Sequence, residues 1–311
     1  MKSLISTLLT VLAVGIWVPA WAAQPLLTPA ELHAIDHDPG VRIIDIRPGK
    51  AYAAGHIPGA ISAPYHQWRG PANDPGKLPP ESVLTTLVRH LGLNGDTHAV
   101  VVSSGKDSTD FGGSARVYWT LKYLGLTQLS ILNGGLKAWA DAGLPEDRVI
   151  PTVAPSQYVA HLDNSLIATT QDVAKQVGNA QTRLIDARPH KFYLGEVKAP
   201  TALVPGTIKD AINLENGKWF EPGTAIFVSP DKARRIAALE LSQPKQETIS
   251  FCNTGHWAAT DWFALSEVVG IQNVRLYPAS LAEWTHDAKL PMQNVPGRGE
   301  QILMKLKGLL G

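Results

Sequence analysis

The chain reads as an α/β protein of two tandem domains, each a mostly parallel sheet flanked by helices. The sequence repeats itself once along its length, and within each repeat short apolar runs alternate with helical patterns. Three blocks carry the repeat. VRIIDIRP (41–48) returns as TRLIDARP (182–189), setting Asp45 against Asp186 and Arg47 against Arg188. GHIPGAISAPYHQW (55–68) aligns with GTIKDAINLENGKW (206–219), pairing Trp68 with Trp219. GLTQLSILNGGLKAW (125–139) aligns with GIQNVRLYPASLAEW (270–284), pairing Trp139 with Trp284. Order and approximate spacing hold across all three, the signature of a duplicated structural unit. A length of 311 residues agrees, because one hydrophobic core rarely grows so large.

Taken in order, residues 1–22 have Lys2, an apolar run from Leu4 to Val18, and the small-x-small triplet Ala20-Trp21-Ala22. This predicts a secretory signal peptide cut after Ala22, and hence a periplasmic or secreted protein. The run is short for an uncleaved anchor, and no later stretch is apolar enough to span a bilayer. Residues 23–148 form the first domain and 149–161 a proline-bearing linker without periodicity. In the first domain, NGG at 133–135 reads as a turn entering a helix. Residues 162–291 form the second domain, where TRLID and ETISFC are buried-strand runs. SPDKARRIAALEL (229–241) and HWAATDWFALSEVVG (256–270) carry helical spacing, with Ser229 as cap and Pro230 at the first helical position. Residues 292–311 form a tail with an amphipathic pattern.

The composition, 44% apolar and 18% charged, is that of a globular chain. Loss of Lys2 with the leader turns 28 basic against 27 acidic residues into 27 against 27. No net field remains to attract nucleic acid or an anionic membrane. The expected state is a monomer, since two packed domains are self-sufficient. There is one cysteine, so no internal disulfide, and Cys252 is either apolar filler or a working thiol.

Cys252 ends an apolar strand, and a helical pattern begins within a few residues. It therefore sits in a strand-to-helix turn at the sheet's carboxyl edge, where open α/β sheets place ligands. Gly255 suits a positive φ, and such a turn points backbone N–H groups inward to hold an anion. With the dipole of the following helix, this favours thiolate over thiol. The polar run Asn253-Thr254-Gly255-His256 speaks against a dry burial of the sulfur.

The duplicated D-x-R-P strand ends, the GHIPGA block and the C-x-x-G-x-x loop resemble the tandem-domain rhodanese family of thiosulfate and 3-mercaptopyruvate sulfurtransferases. The resemblance covers about residues 26 to 290. It implies two rhodanese-like domains, the first non-catalytic; VVVSSG (100–105) puts Ser103 where the second half has Cys252, with a longer segment to the next helix. It also implies that Cys252 takes sulfur from thiosulfate or a related donor as a persulfide and passes it to cyanide or a thiol. No cofactor beyond that covalent intermediate is implied. Asn253, Thr254, Gly255, His256 and Trp257 would cradle the sulfur and the donor. Arg188 would be an anion contact or, as its repetition as Arg47 suggests, part of a brace with Asp186.

The loop departs from the family in one respect. CNTGHW has no fixed charge: Thr254 stands where thiosulfate enzymes have a loop lysine, and Phe192 where they have another cation. His256 either compensates with a proton or partial charge, or opens the helix and faces solvent. The missing cations support a rival reading, a catalytically weak module that binds sulfur or a partner protein. Related phosphatase-like loops place an arginine six residues after the cysteine; here that residue is Ala258, so a phosphate dianion lacks its bidentate partner. The insertion between Gly195 and Gly206, with Lys198, is a candidate pocket wall, and Lys218-Trp219 a candidate cleft lining. No metal-ligand spacing appears.

Overall fold

The computed structural model of the protein describes residues 23–297 and 299–300. The leader and nearly all of the 298–311 segment lie outside the described residues. The first domain is built from β1 (Leu26–Leu27), α1 (Pro29–His33), β2 (Val41–Asp45), α2 (Gly49–Ala54), β3 (Ile61–Ser62), α3 (Glu81–His90), β4 (His98–Val102), α4 (Ser108–Tyr123), β5 (Leu129–Leu132) and α5 (Gly135–Asp141). Its sheet has the order β1-β5-β4-β2-β3, every pair parallel. The second domain follows with α6 (Thr170–Gln176), β6 (Thr182–Asp186), α7 (His190–Tyr193), β7 (Thr207–Ile208), β8 (Ile212–Asn213), α8 (Pro230–Glu240), β9 (Glu247–Phe251), α9 (Trp257–Phe263), β10 (Val274–Leu276), α10 (Ser280–Trp284) and β11 (Met292–Gln293). Its sheet runs β10-β9-β6-β8, also parallel, and β11 pairs antiparallel with β7.

The strand runs are near-continuous apolar because both faces of each sheet are covered. Ile44, Val101, Ile185 and Ile249 are fully buried at the sheet centres. The repeated tryptophans Trp68, Trp139, Trp219 and Trp284 are also fully buried, so block alignment tracked packing. Ser229 caps α8 by accepting from Lys232 N–H, with Pro230 in the first turn. Gly134 and Gly135 adopt φ of 78° and 60° at the turn into α5.

Two boundaries differ from the sequence reading, and the linker is fixed in place. The helix expected over 256–270 is α9 followed by a π-helical turn, Ala264–Val269. The linker has no regular structure but is docked: Ser156 bonds Arg89 O and Leu93 O, and Tyr158 bonds Leu124 O. Met292 and Gln293, read as tail, form β11, because their backbone completes the edge of β7.

The two domains share one core. Helix α4 of the first packs along α9 of the second, with Phe111 ringed by Phe220, Phe227 and Phe263 at centroid distances of 5.2 to 5.7 Å. Tyr118 O–H and Lys122 Nζ both reach the Glu267 carboxylate, at 2.8 and 2.6 Å. Since α9 begins where the cysteine loop ends, this packing sets the first domain against the loop.

Candidate active site

Residues 252–256 form the loop between β9 and α9 at the carboxyl edge of the second sheet. Gly255 has φ 69°, and a Cβ there would press on the Arg116 guanidinium and, at 2.5 Å, on Pro278 O. The carbonyls of Cys252 and Asn253 accept from the N–H groups of Leu281 and Ala282 at the start of α10. With its carbonyls turned toward α10, the loop keeps the Asn253, Thr254 and His256 N–H groups free of hydrogen bonds to the described residues.

Two other loop amides are not free. The Ser280 hydroxyl accepts from Cys252 N–H at 3.0 Å and Gly255 N–H at 3.1 Å, while donating to Tyr277 O at 2.8 Å. This corrects the expected role of Gly255: it is buried, its amide faces Ser280, and it shapes the turn instead of touching a donor. Ser280 is fully buried at φ 55°. Its partner in the repeat is Gly135, at φ 60°. A side chain in this region costs energy that glycine avoids; the hydroxyl's three bonds offset that cost.

A cavity of about 240 Å³ opens over the loop. Cys252, Asn253, Thr254, His256 and Trp257 line it from the second domain, and Tyr65, Arg69 and Thr109 from the first. The polar neighbours do not leave Cys252 accessible; the residue is fully buried at the cavity floor, closed over by the domain interface. A larger depression, about 510 Å³ at the far end of β6, holds no cysteine.

His256 neither faces open solvent nor carries charge. Its Nε2 lies 2.5 Å from Thr109 O. A carbonyl only accepts, so Nε2 bears the proton and Nδ1 accepts from the Tyr65 hydroxyl at 2.8 Å. Burial, then the nearby Arg69 charge, push its pKa down to about 4, so the ring is neutral at pH 7. The mid-helix pair Gly112-Gly113 makes room: a Cβ at Gly112 would stand 2.8 Å from His256 Nε2, and one at Gly113 would touch the Tyr65 ring at 3.7 Å. Trp257 Nε1 bonds Thr109 Oγ1 at 3.2 Å, and its ring meets Phe192 edge-on.

Positive charge reaches the loop from the first domain. Arg69 donates through Nη2 to Thr254 O and through Nε to Pro75 O, both at 2.8 Å. Its guanidinium lies 5.3 Å from the Tyr65 ring centroid. Arg116 in α4 is fully buried, donates to Gly255 O at 3.1 Å and Gly76 O at 3.0 Å, and packs on Trp119. Burial lowers its pKa to about 10, which leaves it charged at pH 7. Neither arginine has a carboxylate partner among the described residues.

The strand-end pairs are braces. Arg188 gives Nε and Nη2 to Asp186, Nη2 also to Gly206 O, and Nη1 to Asn253 Oδ1. Arg47 grips Asp45 and Gly55 O in the same way. Arg188 is therefore placed off the cavity as a donor contact: it is 1% exposed, and Asp186 neutralises it. The 195–206 insertion is also off the cavity; Lys198 Nζ bonds Ala199 O and Ala202 O, and Leu203 N–H bonds Thr285 Oγ1. Lys218 pairs with Glu240, and Trp219 is buried with its Nε1 on Asp261. Among the described residues no cluster of His, Cys, Asp and Glu is arranged to hold a metal, and no helix is long and apolar enough to cross a membrane.

Ser103 begins the matching first-domain loop, which has the same length between β4 and α4 as the cysteine loop, not a longer one. There Gly105 N–H is given to the Asp110 carboxylate at 2.6 Å, so an internal acid already occupies part of that loop. Sequence reasoning missed Tyr65, Arg69, Thr109, Arg116 and Ser280. Two of the signals were in the repeat itself: Arg69 stands where the second half has Phe220, and Ser280 where the first has Gly135.

Comparison with known proteins agrees with this architecture. A family profile described as Rhodanese-like domain matches residues 28–142 and 169–287. A thiosulfate sulfurtransferase of Azotobacter vinelandii is 29% identical over 275 residues, 88% of this chain and 98% of the relative. A probable 3-mercaptopyruvate sulfurtransferase of Pseudomonas aeruginosa is 29% identical over 297 residues, 87% of this chain and 98% of the relative. Among solved structures, SseA of Escherichia coli, described as a 3-mercaptopyruvate sulfotransferase with the rhodanese fold, superposes with TM-score 0.72. It has 24% identity and covers 83% of this chain and 99% of its own.

Proposed function

The chain belongs to the rhodanese-like family of sulfurtransferases, and we propose that it moves a sulfane sulfur from thiosulfate or a related anionic donor to cyanide or a thiol through Cys252. The observation that carries this is the placement of the chain's one thiol at the floor of a cavity, ringed by three free loop amides and the charged Arg69. In the first step the Cys252 thiolate attacks the outer sulfur of thiosulfate; the S–S bond breaks and sulfite leaves with the electron pair. The persulfide's terminal sulfur lies in the field of the Asn253, Thr254 and His256 amides. In the second step an acceptor thiolate or cyanide attacks that sulfur, and the Cys252 thiolate departs, restored. No cofactor enters either step. Neutral His256, with both ring nitrogens engaged, orients Tyr65 and the loop and takes no proton.

Arg69 and Arg116 supply the charge whose absence from CNTGHW motivated the binding-module reading. The 1–22 pattern supports export, and the shared core supports a monomer. The test is sulfur loading: the protein incubated with thiosulfate gains one sulfur atom by intact mass, releases it as thiocyanate on adding cyanide, and gains none as Cys252→Ser. Loading that persists in Cys252→Ser, or none from thiosulfate and 3-mercaptopyruvate alike, overturns the reading.

A further inference from the structure

We propose that Arg69, delivered by the first domain, anchors the anionic end of the sulfur donor, so that donor selection belongs to the domain interface and not to the cysteine loop. This rests on the sulfur-transfer reading for its substrate class.

Arg188 is saturated by Asp186. Arg116 is fully buried, both its terminal nitrogens bond carbonyls, and it does not border the cavity. His256 is uncharged. Arg69 is the one charged side chain among the described residues that line the cavity with Cys252. Two anchors, Thr254 O and Pro75 O, hold it by one side of its fork, and Tyr65 lies against it. A half-buried guanidinium without a carboxylate partner is an unusual expense in a folded protein, and a bound dianion is the partner it lacks. The planar fork offers two parallel N–H groups to two sulfonate or carboxylate oxygens of a donor whose sulfur points at the cavity floor. The bond from Nη2 to Thr254 O joins that anchor to the sulfur loop, so the distance between bound anion and nucleophile is fixed across the domain interface.

The experiment uses thiosulfate binding by calorimetry to the Cys252→Ser protein, which cannot turn over. Arg69→Gln in that background keeps a polar N–H side chain and removes the charge; Arg69→Lys keeps the charge and removes the fork. The Gln variant is expected to bind about tenfold to hundredfold more weakly, as loss of a charge-assisted hydrogen bond requires, with the Lys variant between. Raising salt should weaken binding to the parent and leave the Gln variant nearly flat. Circular dichroism melts identify any variant that is misfolded, in which case Arg69→Met serves in its place. Equal affinity with and without Arg69, or no binding to the parent, overturns the proposal. Arg69-dependent binding without sulfur loading of the Cys252 protein would refute sulfur transfer but not the anion site. Loading with Arg69-independent binding would do the reverse.

Discussion

Ser280 is the residue whose loss should cost the loop most for the fewest atoms removed. Its hydroxyl satisfies two buried amides, Cys252 N–H and Gly255 N–H, and bonds Tyr277 O. Ser280→Gly removes the hydroxyl and relieves the positive φ; Ser280→Ala removes the hydroxyl and keeps the strain. An orphaned buried amide costs about 1–3 kcal/mol, so two set a loss of about 2–6 kcal/mol for Ala. Glycine recovers about 1 kcal/mol of this, since a side chain in the left-handed region costs about that much. For a protein of this size 1 kcal/mol moves Tm by about 2–4 °C. The expected order of Tm is therefore Ser, then Gly, then Ala, with Ala at least about 4 °C below the parent by calorimetry. Sulfur loading should slow in both variants, because the turn that aims the free amides loses its tie. If both variants melt within a degree of the parent and load sulfur at its rate, the hydroxyl does not organise the loop.

Two other perturbations have signed outcomes. Gly112→Ala gains helix propensity of about 1 kcal/mol in principle, but its Cβ would stand 2.8 Å from His256 Nε2. Slower sulfur loading from a displaced His256, without a fall in helix content, is expected; unaltered kinetics would show that the glycine makes no room that matters. Asp261 is fully buried in α9, its Oδ1 accepts from Trp219 Nε1 at 2.9 Å, and its Oδ2 has no partner. Burial holds its pKa well above the usual carboxylate range, with Asp186 adding to the rise. The folded state then keeps a proton the unfolded state releases, so this contribution is fully present below the unfolded pKa and is lost as pH rises toward the folded one. Asp261→Asn keeps the Trp219 bond without titrating. It should flatten the decline of Tm between pH 5 and 8, assay values set at roughly one-unit steps across that window, and match or exceed the parent at the upper end. A variant that is less stable there and as pH-dependent as the parent would contradict a protonated Asp261.

The fold was legible because its signals are local and doubled. Strand runs such as VRIID and TRLID, the cap at Ser229 and the NGG turn each fix structure within a few residues, and repetition supplied a second reading of each. The nucleophile was legible for the same reason: one thiol, at a strand end, before a helix. The charges were not. Arg69 reaches Thr254 across 185 positions and Arg116 reaches Gly255 across 139, and no periodicity records which helix faces which loop. His256 was ambiguous in sequence because its hydrogen-bond partners Thr109 and Tyr65, and the Arg69 charge that helps lower its pKa, all belong to the other domain. The departures from internal symmetry marked part of the missing information: an arginine facing Phe220 in the alignment, and a serine facing a glycine of positive φ.

Those departures also explain why the two halves differ in kind. A duplicated domain that kept its own nucleophile would need its own free amides, yet the first-domain loop already spends Gly105 N–H on Asp110. What the first half offers instead is a surface: α4 is cut back by Gly112 and Gly113 where His256 and Tyr65 meet, and it carries Arg116 to the back of the cysteine loop. A cation fixed in the loop itself would sit beside the sulfur in every state of the protein. A cation supplied across an interface is positioned only when the domains are packed, which couples donor binding to the α4–α9 contact. Weakening that contact away from the cavity, for instance at the Glu267 pair with Tyr118 and Lys122, should therefore raise the thiosulfate concentration needed for loading more than it lowers the maximal rate. An equal effect on both would place Arg69 outside donor recognition.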